Sequence, residues 1–398
     1  MVGSVLDKFD IVIVGAGPAG TICALALRGS GLRVAMIDKG EFPRDKICGD
    51  SIPGPALKVL RKVLNGFTME VELPDMMQRI RTSSINTTSG KAVQIIWKGI
   101  AFNCRRTIFD QFLLDLVKQH TNTHIYLGEK VDRVVFNNHV AVHLEKSDRY
   151  LKCDLVIGCD GANSVVSKNS GNPLTDLTES CIAMRAYFKG IDSPEDCNAF
   201  YLLKNVPGYF WMFPLGNGHF NVGIGFRTSN SRKKLNIKEE FKNAIEENPL
   251  IREKFRKAEK LSNSEAFSLP MGGYRGRISG EKYILAGDAA RLIDPLQGHG
   301  IDKAMQSGFL AAQQAIRCFH HLDFSSKRIS EYDQSIAKSI GKELRRNHRI
   351  MKLLAAQPWL INLIAVLTMN NSIKNSFLRR FYRSREFIQE LPASQPVE

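Results

Sequence analysis

The chain has no CxxC pair. Its eight cysteines (Cys23, Cys48, Cys104, Cys153, Cys159, Cys181, Cys197 and Cys318) are scattered, which leaves zinc-ribbon, other metal-site and thioredoxin-like readings without support and makes most of them small buried hydrophobes. Nor does it have the roughly 18 uninterrupted apolar residues of an ordinary membrane span. The nearest run, Leu353 to Met369, is broken by Gln357, Pro358 and Asn362. The first residues carry Asp7, Lys8 and Asp10 and no apolar stretch before a small-residue cleavage site, so a secretory signal is not expected and a cytoplasmic location is the default. Helix-turn-helix, zinc and RNA-binding patterns are missing, as is a second glycine-rich unit that could serve a nicotinamide. What is present is 398 residues, 43% hydrophobic and 24% charged, too long for a disulfide-stapled scaffold and long enough for two lobes. The net charge of +15 suits nucleic acid, an anionic membrane surface or a polyanionic ligand, and the missing motifs remove the first.

The clearest chemistry lies near the start. Phe9 to Val14 reads as a buried strand that runs into Gly15-Ala16-Gly17-Pro18-Ala19-Gly20 and then an Ala/Leu-rich helix. Gly15 allows the tight turn, Gly17 lets backbone approach a pyrophosphate, and Gly20 packs helix on strand, while the helix N-terminus offers free N–H groups. The next strand, Arg33 to Asp38, ends in an acid suited to ribose hydroxyls, which points to FAD or NAD. A charged loop, Glu41 to Asp50, follows in place of a further αβ unit and can lie along the longer cofactor. Two more strand-to-glycine junctions appear far downstream. Cys153 to Cys159 leads into Asp160-Gly161, and Lys282 to Ala286 leads into Gly287-Asp288, with Asp294-Pro295-Leu296-Gln297-Gly298-His299-Gly300-Ile301 opening a helix near Ile301. Their unequal spacing is not that of a repeat, so they read as one nucleotide sheet gathered from distant segments.

This triple signature, over roughly Phe9 to Ser307, resembles the FAD-dependent oxidoreductases of the para-hydroxybenzoate hydroxylase fold. Within them, Tyr209-Phe210-Trp211-Met212-Phe213-Pro214 followed by Asn221-Val222-Gly223-Ile224-Gly225 is similar to the YxWxFP…GxG signature of geranylgeranyl reductases. Lys46 to Gly49, Arg106 with Phe109-Asp110, and Leu269 to Gly273 fit the same family. The resemblance implies that Gly15, Gly17, Ala19 and Gly20 hold the pyrophosphate, Asp38 with Lys39 the adenosine ribose, and Asp288 the ribityl or pyrophosphate region. Arg106 would supply a cationic contact, and Asp160 and Gly161 would serve FAD and the reductant. Gly298, Gly300 and Ile301 would bring backbone N–H groups to the flavin ring. It departs at His299, where reductases of this family often carry an acid.

The expected fold is α/β: a Rossmann-type FAD lobe from 1–75, 100–170 and 275–325, an antiparallel substrate lobe from 76–99 and 171–274, a helical region 326–390, and a tail 391–398. Tyr209, Trp211 and Phe213, at period two, suit either a hydrophobic substrate wall or one face of a core sheet. The resemblance implies reduction of C=C bonds in an isoprenoid by hydride from reduced FAD, with NADPH or NADH as electron donor. Cys48 and His299 stand as proton donors, against bland roles as a packing residue and a turn residue. A hydroxylase of aromatic or polyketide substrates is the alternative. A halogenase is disfavoured because Tyr209 and Phe213 replace the outer residues of its WxWxIP motif. Between Gly341 and Glu390, ten cations (Lys342, Arg345, Arg346, Arg349, Lys352, Lys374, Arg379, Arg380, Arg383, Arg385) stand against three acids and flank the apolar Leu353–Met369 run. That pattern suits either peripheral membrane contact or a helical cap on the substrate lobe.

Overall fold

The structure is a computed structural model and describes residues 7–64, 77–88, 90–171, 180–204, 207–227, 235–271, 277–357 and 359–368. Ile11–Val14 is a fully buried run of β-branched residues, as a strand covered on both faces must be. It lies parallel to Val34–Asp38 on one side and to Leu155–Gly158 on the other. His124–Leu127 and Tyr283–Leu285 extend the sheet in parallel at either end, and Ser279–Gly280 closes one edge antiparallel. The chain reverses its winding between the Ile11–Val14 and Leu155–Gly158 strands, so a crevice opens at their carboxyl ends, the usual ligand position in such sheets. Gly15, Asp160 and Asp288, 273 positions apart at the extremes of the sequence, emerge at that one sheet end. The expected α/β fold with an FAD lobe gathered from distant segments is what forms.

A second, nine-stranded sheet runs in the order Glu259–Lys260, Ser180–Lys189, His219–Arg227, Gly208–Gly216, Cys197–Leu202, Gln78–Asn86, Ala92–Asn103 and Ser51–Ile52, with Glu265–Pro270 also on Ser180–Lys189. The division expected at residue 99 falls inside one continuous strand. Ala92–Asn103 stays paired with Gln78–Asn86 past that point, and Phe102 and Asn103 then pair with Ile52 and Ser51. Residues 51–52 and 100–103 thus belong to the large sheet. Alternation along Gly208–Gly216 sorts its side chains. Phe210 and Met212 pack with Phe220, Val222 and the Ile237–Glu246 helix, while Trp211 and Phe213 pack on the opposite face with Ala183, and half-buried Tyr209 and Phe200 lie against them. Gly223 lies directly across from Trp211, and a Cβ there would come within 2.1 Å of the indole ring.

The Ile301–His321 helix packs on Pro18–Ala26 and is followed by Ser326–Ile336, a π-helical turn Ala337–Gly341, Lys342–Ala356 and Trp359–Leu367. The apolar run read from sequence as Leu353–Met369 is divided between the last two helices, with Pro358 between them in sequence; proline has no N–H to continue a helical ladder. Among the described residues no helix is long and apolar enough to cross a membrane. Gly272, Gly273, Met369, the cations from Lys374 to Arg385 and the expected tail lie outside the described residues.

Candidate active site

At the nucleotide end, Gly15 turns the chain with φ +105°, and a Cβ there would sit 2.3 Å from the Cys159 carbonyl oxygen, so only glycine fits. The Pro18–Ala26 helix starts at Gly17 with no side-chain cap, leaving its first N–H groups for an anion. Asp38 is held at the mouth of this turn: Oδ2 accepts from Ala16 N at 2.8 Å and Oδ1 from Gly40 N at 2.9 Å. Arg44 bridges Asp38 Oδ2 (3.2 Å) and Asp110 Oδ2 (3.1 Å). Buried Arg106 grips Asp110 through Nε (2.6 Å) and Nη2 (2.7 Å), one helical turn apart. Asp160 Oδ2 accepts from Val165 N at 2.6 Å, while Oδ1 is buried and accepts no hydrogen bond. Burial pushes the Asp160 carboxyl above its usual range. A second helix N-terminus, at Gly300, is likewise uncapped. Two uncapped helix starts and an orphaned buried oxygen at one sheet end fit a dinucleotide with a ring system that gains negative charge.

A cavity of about 1260 Å³ opens beyond this end. One side is the Lys46–Asp288 ion pair (3.0 Å) and the Gly298-His299-Gly300 turn. Its walls are apolar, among them Ile80, Val93, Ile95, Phe200 and Leu269, with Tyr209, Trp211 and Phe213 as an aromatic floor. Each polar tip in that floor is spoken for: Tyr209 Oη donates to Gln297 O (3.0 Å) and Trp211 Nε1 to Asn221 Oδ1 (2.9 Å). Phe200 meets Tyr209 and Phe213 edge to face at 5.4 and 5.1 Å between ring centroids. Such packing presents rings with both polar tips paired on this floor, a surface for hydrocarbon.

Cys48 is half-buried and lines this cavity. Burial pushes its thiol above the ordinary value, the Arg106 guanidinium bonded to it pulls it down, and the Asp50 carboxyl pushes it up again. Asp50 itself is fully buried and pushed up to about 6 by that burial, against the hydrogen bonds of Asn221 and Tyr187. His299 lines the cavity, and its backbone carbonyl accepts from Asp294 N at 2.9 Å.

The structure thus brings Cys48, Arg106, Asp288, Gly298, His299, Gly300, Ile301, Tyr209, Trp211 and Phe213 to one cavity. Gly15, Gly17, Ala19, Gly20, Asp38, Asp160 and Gly161 stand apart from it at the sheet end, and Lys39 is exposed beyond Asp38. Sequence reasoning missed Arg44, Asp50, Tyr187 and Asn221. Arg44 carried a signal in the charged loop, but its partner Asp110 is 66 residues away. No group of three or more metal-ligating side chains occurs among the described residues.

The FAD binding domain family matches residues 8–320. The chain is 31% identical over 338 residues to a menaquinone reductase of Mycobacterium tuberculosis, covering 78% of this chain and 77% of the relative. It is 27% identical over 356 residues to digeranylgeranylglycerophospholipid reductase 2 of Methanopyrus kandleri, covering 87% of each. The crystal structure of a geranylgeranyl bacteriochlorophyll reductase-like protein from Thermoplasma acidophilum shares the fold with a TM-score of 0.81 at 22% identity, over 95% of this chain and 98% of the other.

Proposed function

The chain belongs to the FAD binding domain family as an FAD-dependent oxidoreductase of the geranylgeranyl reductase type, and from that premise we propose that it saturates C=C bonds in the isoprenoid chain of a lipid, with NADPH or NADH as electron source. The observation that carries this reading is the cavity: about 1260 Å³ of mainly apolar lining, larger than the usual small-ligand pocket, with a thiol at its wall and an uncapped helix start beside it. The relatives whose names specify a digeranylgeranylglycerophospholipid or a menaquinone point to the same substrate class.

FAD would be held by the Gly15–Gly20 turn, Asp38, Arg106 and Asp288, and when reduced it supplies a hydride. The chain's own residues do the rest. Removing the polyprenyl chain from water contributes about 25 cal/mol per Å² of apolar area, and Tyr209, Trp211 and Phe213 orient it. Cys48 gives a proton to the carbon opposite the one that takes hydride; burial keeps that thiol protonated. His299 stands as a second acid at the glycine turn. The Lys342–Ala356 and Trp359–Leu367 helices cover the cavity and rest on an anionic lipid surface, so substrate passes from bilayer to cavity without crossing water.

Purified flavoprotein, reduced under nitrogen and given a geranylgeranyl lipid, is expected to yield product heavier by two hydrogens per reduced bond. Product that appears only with oxygen and carries an added oxygen atom would mark a hydroxylase and overturn the reading. Cys48→Ala is expected to slow turnover by about 10²-fold, the usual worth of a positioned acid.

A further inference from the structure

We propose that Asp50 is a positioning residue for Cys48: it anchors the Cys48–Asp50 turn to the aromatic floor of the cavity, and its carboxylate offsets Arg106 so that the thiol keeps its proton. The inference rests on the reading of Cys48 as proton donor and deepens it.

The turn is clamped by one amide. Asn221 Nδ2 donates to Cys48 O and to Asp50 Oδ2, both at 2.8 Å, while its Oδ1 accepts from the Trp211 indole. Tyr187 Oη adds a second bond to Asp50 Oδ2 at 2.8 Å, and Cys104 N donates to Asp50 O at 2.8 Å. These partners hold Asp50 at φ +62°, a left-handed conformation that costs a residue with a side chain about 1 kcal/mol or more. The result is a reversal in which Cys48, Gly49 and Ser51 line the cavity and Asp50 does not. Asp50 therefore never touches substrate; it acts through Cys48.

Its second carboxyl oxygen, Oδ1, is buried and accepts no hydrogen bond. A carboxyl so placed is costly, and the charges around it explain what it is for. Arg106 bonds to the Cys48 sulfur, and so does the Asp50 backbone N–H; both favour the thiolate. Against those two donors the thiol holds its proton through burial, the larger effect, and through one further charge. The Asp50 carboxylate is the opposing charge on the same turn. From the sheet side it faces Tyr187 and Arg185, with Asp45 and Glu265 on Arg185 and Arg105 stacked 4.6 Å over the Tyr187 ring; from the helix side it faces Arg106, and Cys104 lies beside it.

The test is the rate of iodoacetamide labelling of the Cys48 peptide in the holoenzyme, followed by mass spectrometry against pH, in wild type and Asp50→Asn. The amide oxygen of asparagine can replace Oδ2 as the acceptor for Asn221 and Tyr187, so the clamp survives while the charge goes. Well below Asp50's midpoint of about 6 the two proteins are expected to label alike; above it the variant is expected to label about tenfold faster, the worth of one pKa unit. A ratio that stays flat with pH, or a slower variant throughout, overturns the proposal. Should the variant fail to fold, wild type alone decides: its labelling profile is expected to break near pH 6, and a profile following one ionisation overturns the proposal. Labelling needs no substrate, so failure of the reductase reading, seen as undiminished turnover in Cys48→Ala, is distinguishable from failure of this one.

Discussion

Asp333, which does not line the cavity, sits on the Ser326–Ile336 helix, where Oδ1 accepts from Ile278 N at 3.2 Å. Burial pushes its carboxyl up to about 6, outweighing the bonds from Ile278 and Ser279 and the charge of Arg277. A carboxyl raised on folding is held protonated more tightly in the native than in the unfolded chain. Its contribution is therefore full below the unfolded value of about 3.9 and is lost as pH climbs from there through about 6. Asp333→Asn keeps an acceptor for Ile278 and removes the titration. The variant is expected to gain on wild type by about 1–2 kcal/mol as pH rises across that window and to hold the gain above it, measured by urea unfolding at several pH values. A constant difference at all pH values would show that the carboxyl is not strained by burial. At this scale the residues legible in the sequence were those whose chemistry is local. The Gly15–Gly20 turn and Asp38 announce themselves within one βαβ unit. Asp50, Asn221 and Tyr187 were not legible, because Asn221 meets Asp50 across 171 residues and an isolated Gly-Asp-Ser reads as any turn.

Secondary elements acquire their roles from which face they turn to the cavity. The period-two aromatics Tyr209, Trp211 and Phe213 could have been core or wall, and all three line the cavity, while the residues between them, Phe210 and Met212, turn to the core on the other face. The Trp359–Leu367 helix divides in the same way at period four. Leu360, Ile364 and the adjoining Thr368 line the cavity, while Trp359, Leu363 and Leu367 are 59%, 42% and 46% exposed. On the preceding helix Lys342, Arg345, Arg349 and Lys352 recur at spacings of three and four, one face of the α-helix. An apolar exposed stripe on one helix and a basic stripe on the other are what the interfacial reading of the composition requires, and Leu360 and Ile364 at the cavity are what its rival, the cap, requires. The sequence left those two open because helical periodicity names a stripe without saying what it meets. Wild type is expected to float with vesicles of equal phosphatidylglycerol and phosphatidylcholine at about 0.1 M salt and to release at about 0.5 M, as screening shortens the reach of the cations. Trp359→Glu with Leu363→Glu is expected to weaken flotation at least tenfold, since each buried side chain contributes about 1.5–3 kcal/mol. Wild type that stays with the supernatant at low salt would rule out the lipid surface.

The whole molecule is held together at the sheet end by segments that are strangers in sequence. Gly15, Asp38, Asp160 and Asp288 end four strands of one parallel sheet or follow them directly, and two helices begin there without caps. The loop Glu41–Asp50 ties this end to the large sheet through Arg185 on Asp45 and Asn221 on Asp50, and to the Arg106–His120 helix through Arg44 on Asp110. A dinucleotide lying across that end would satisfy the open N–H groups of both helix starts at once and contact the loop as well. Ligand bound only to the native state adds RT ln(1 + [L]/Kd), about 2.7 kcal/mol at a hundredfold excess over Kd. Stripping the flavin is thus expected to lower the melting temperature by several degrees. Amide exchange is expected to speed up together at Gly15–Gly20, at Gly40–Asp50 and at Gly298–Ile301, and to leave the Cys197–Leu202 and His219–Arg227 strands unchanged. Faster exchange confined to the first segment would mean that the nucleotide touches one junction alone, and the three would then owe their proximity to sheet pairing without help from the cofactor.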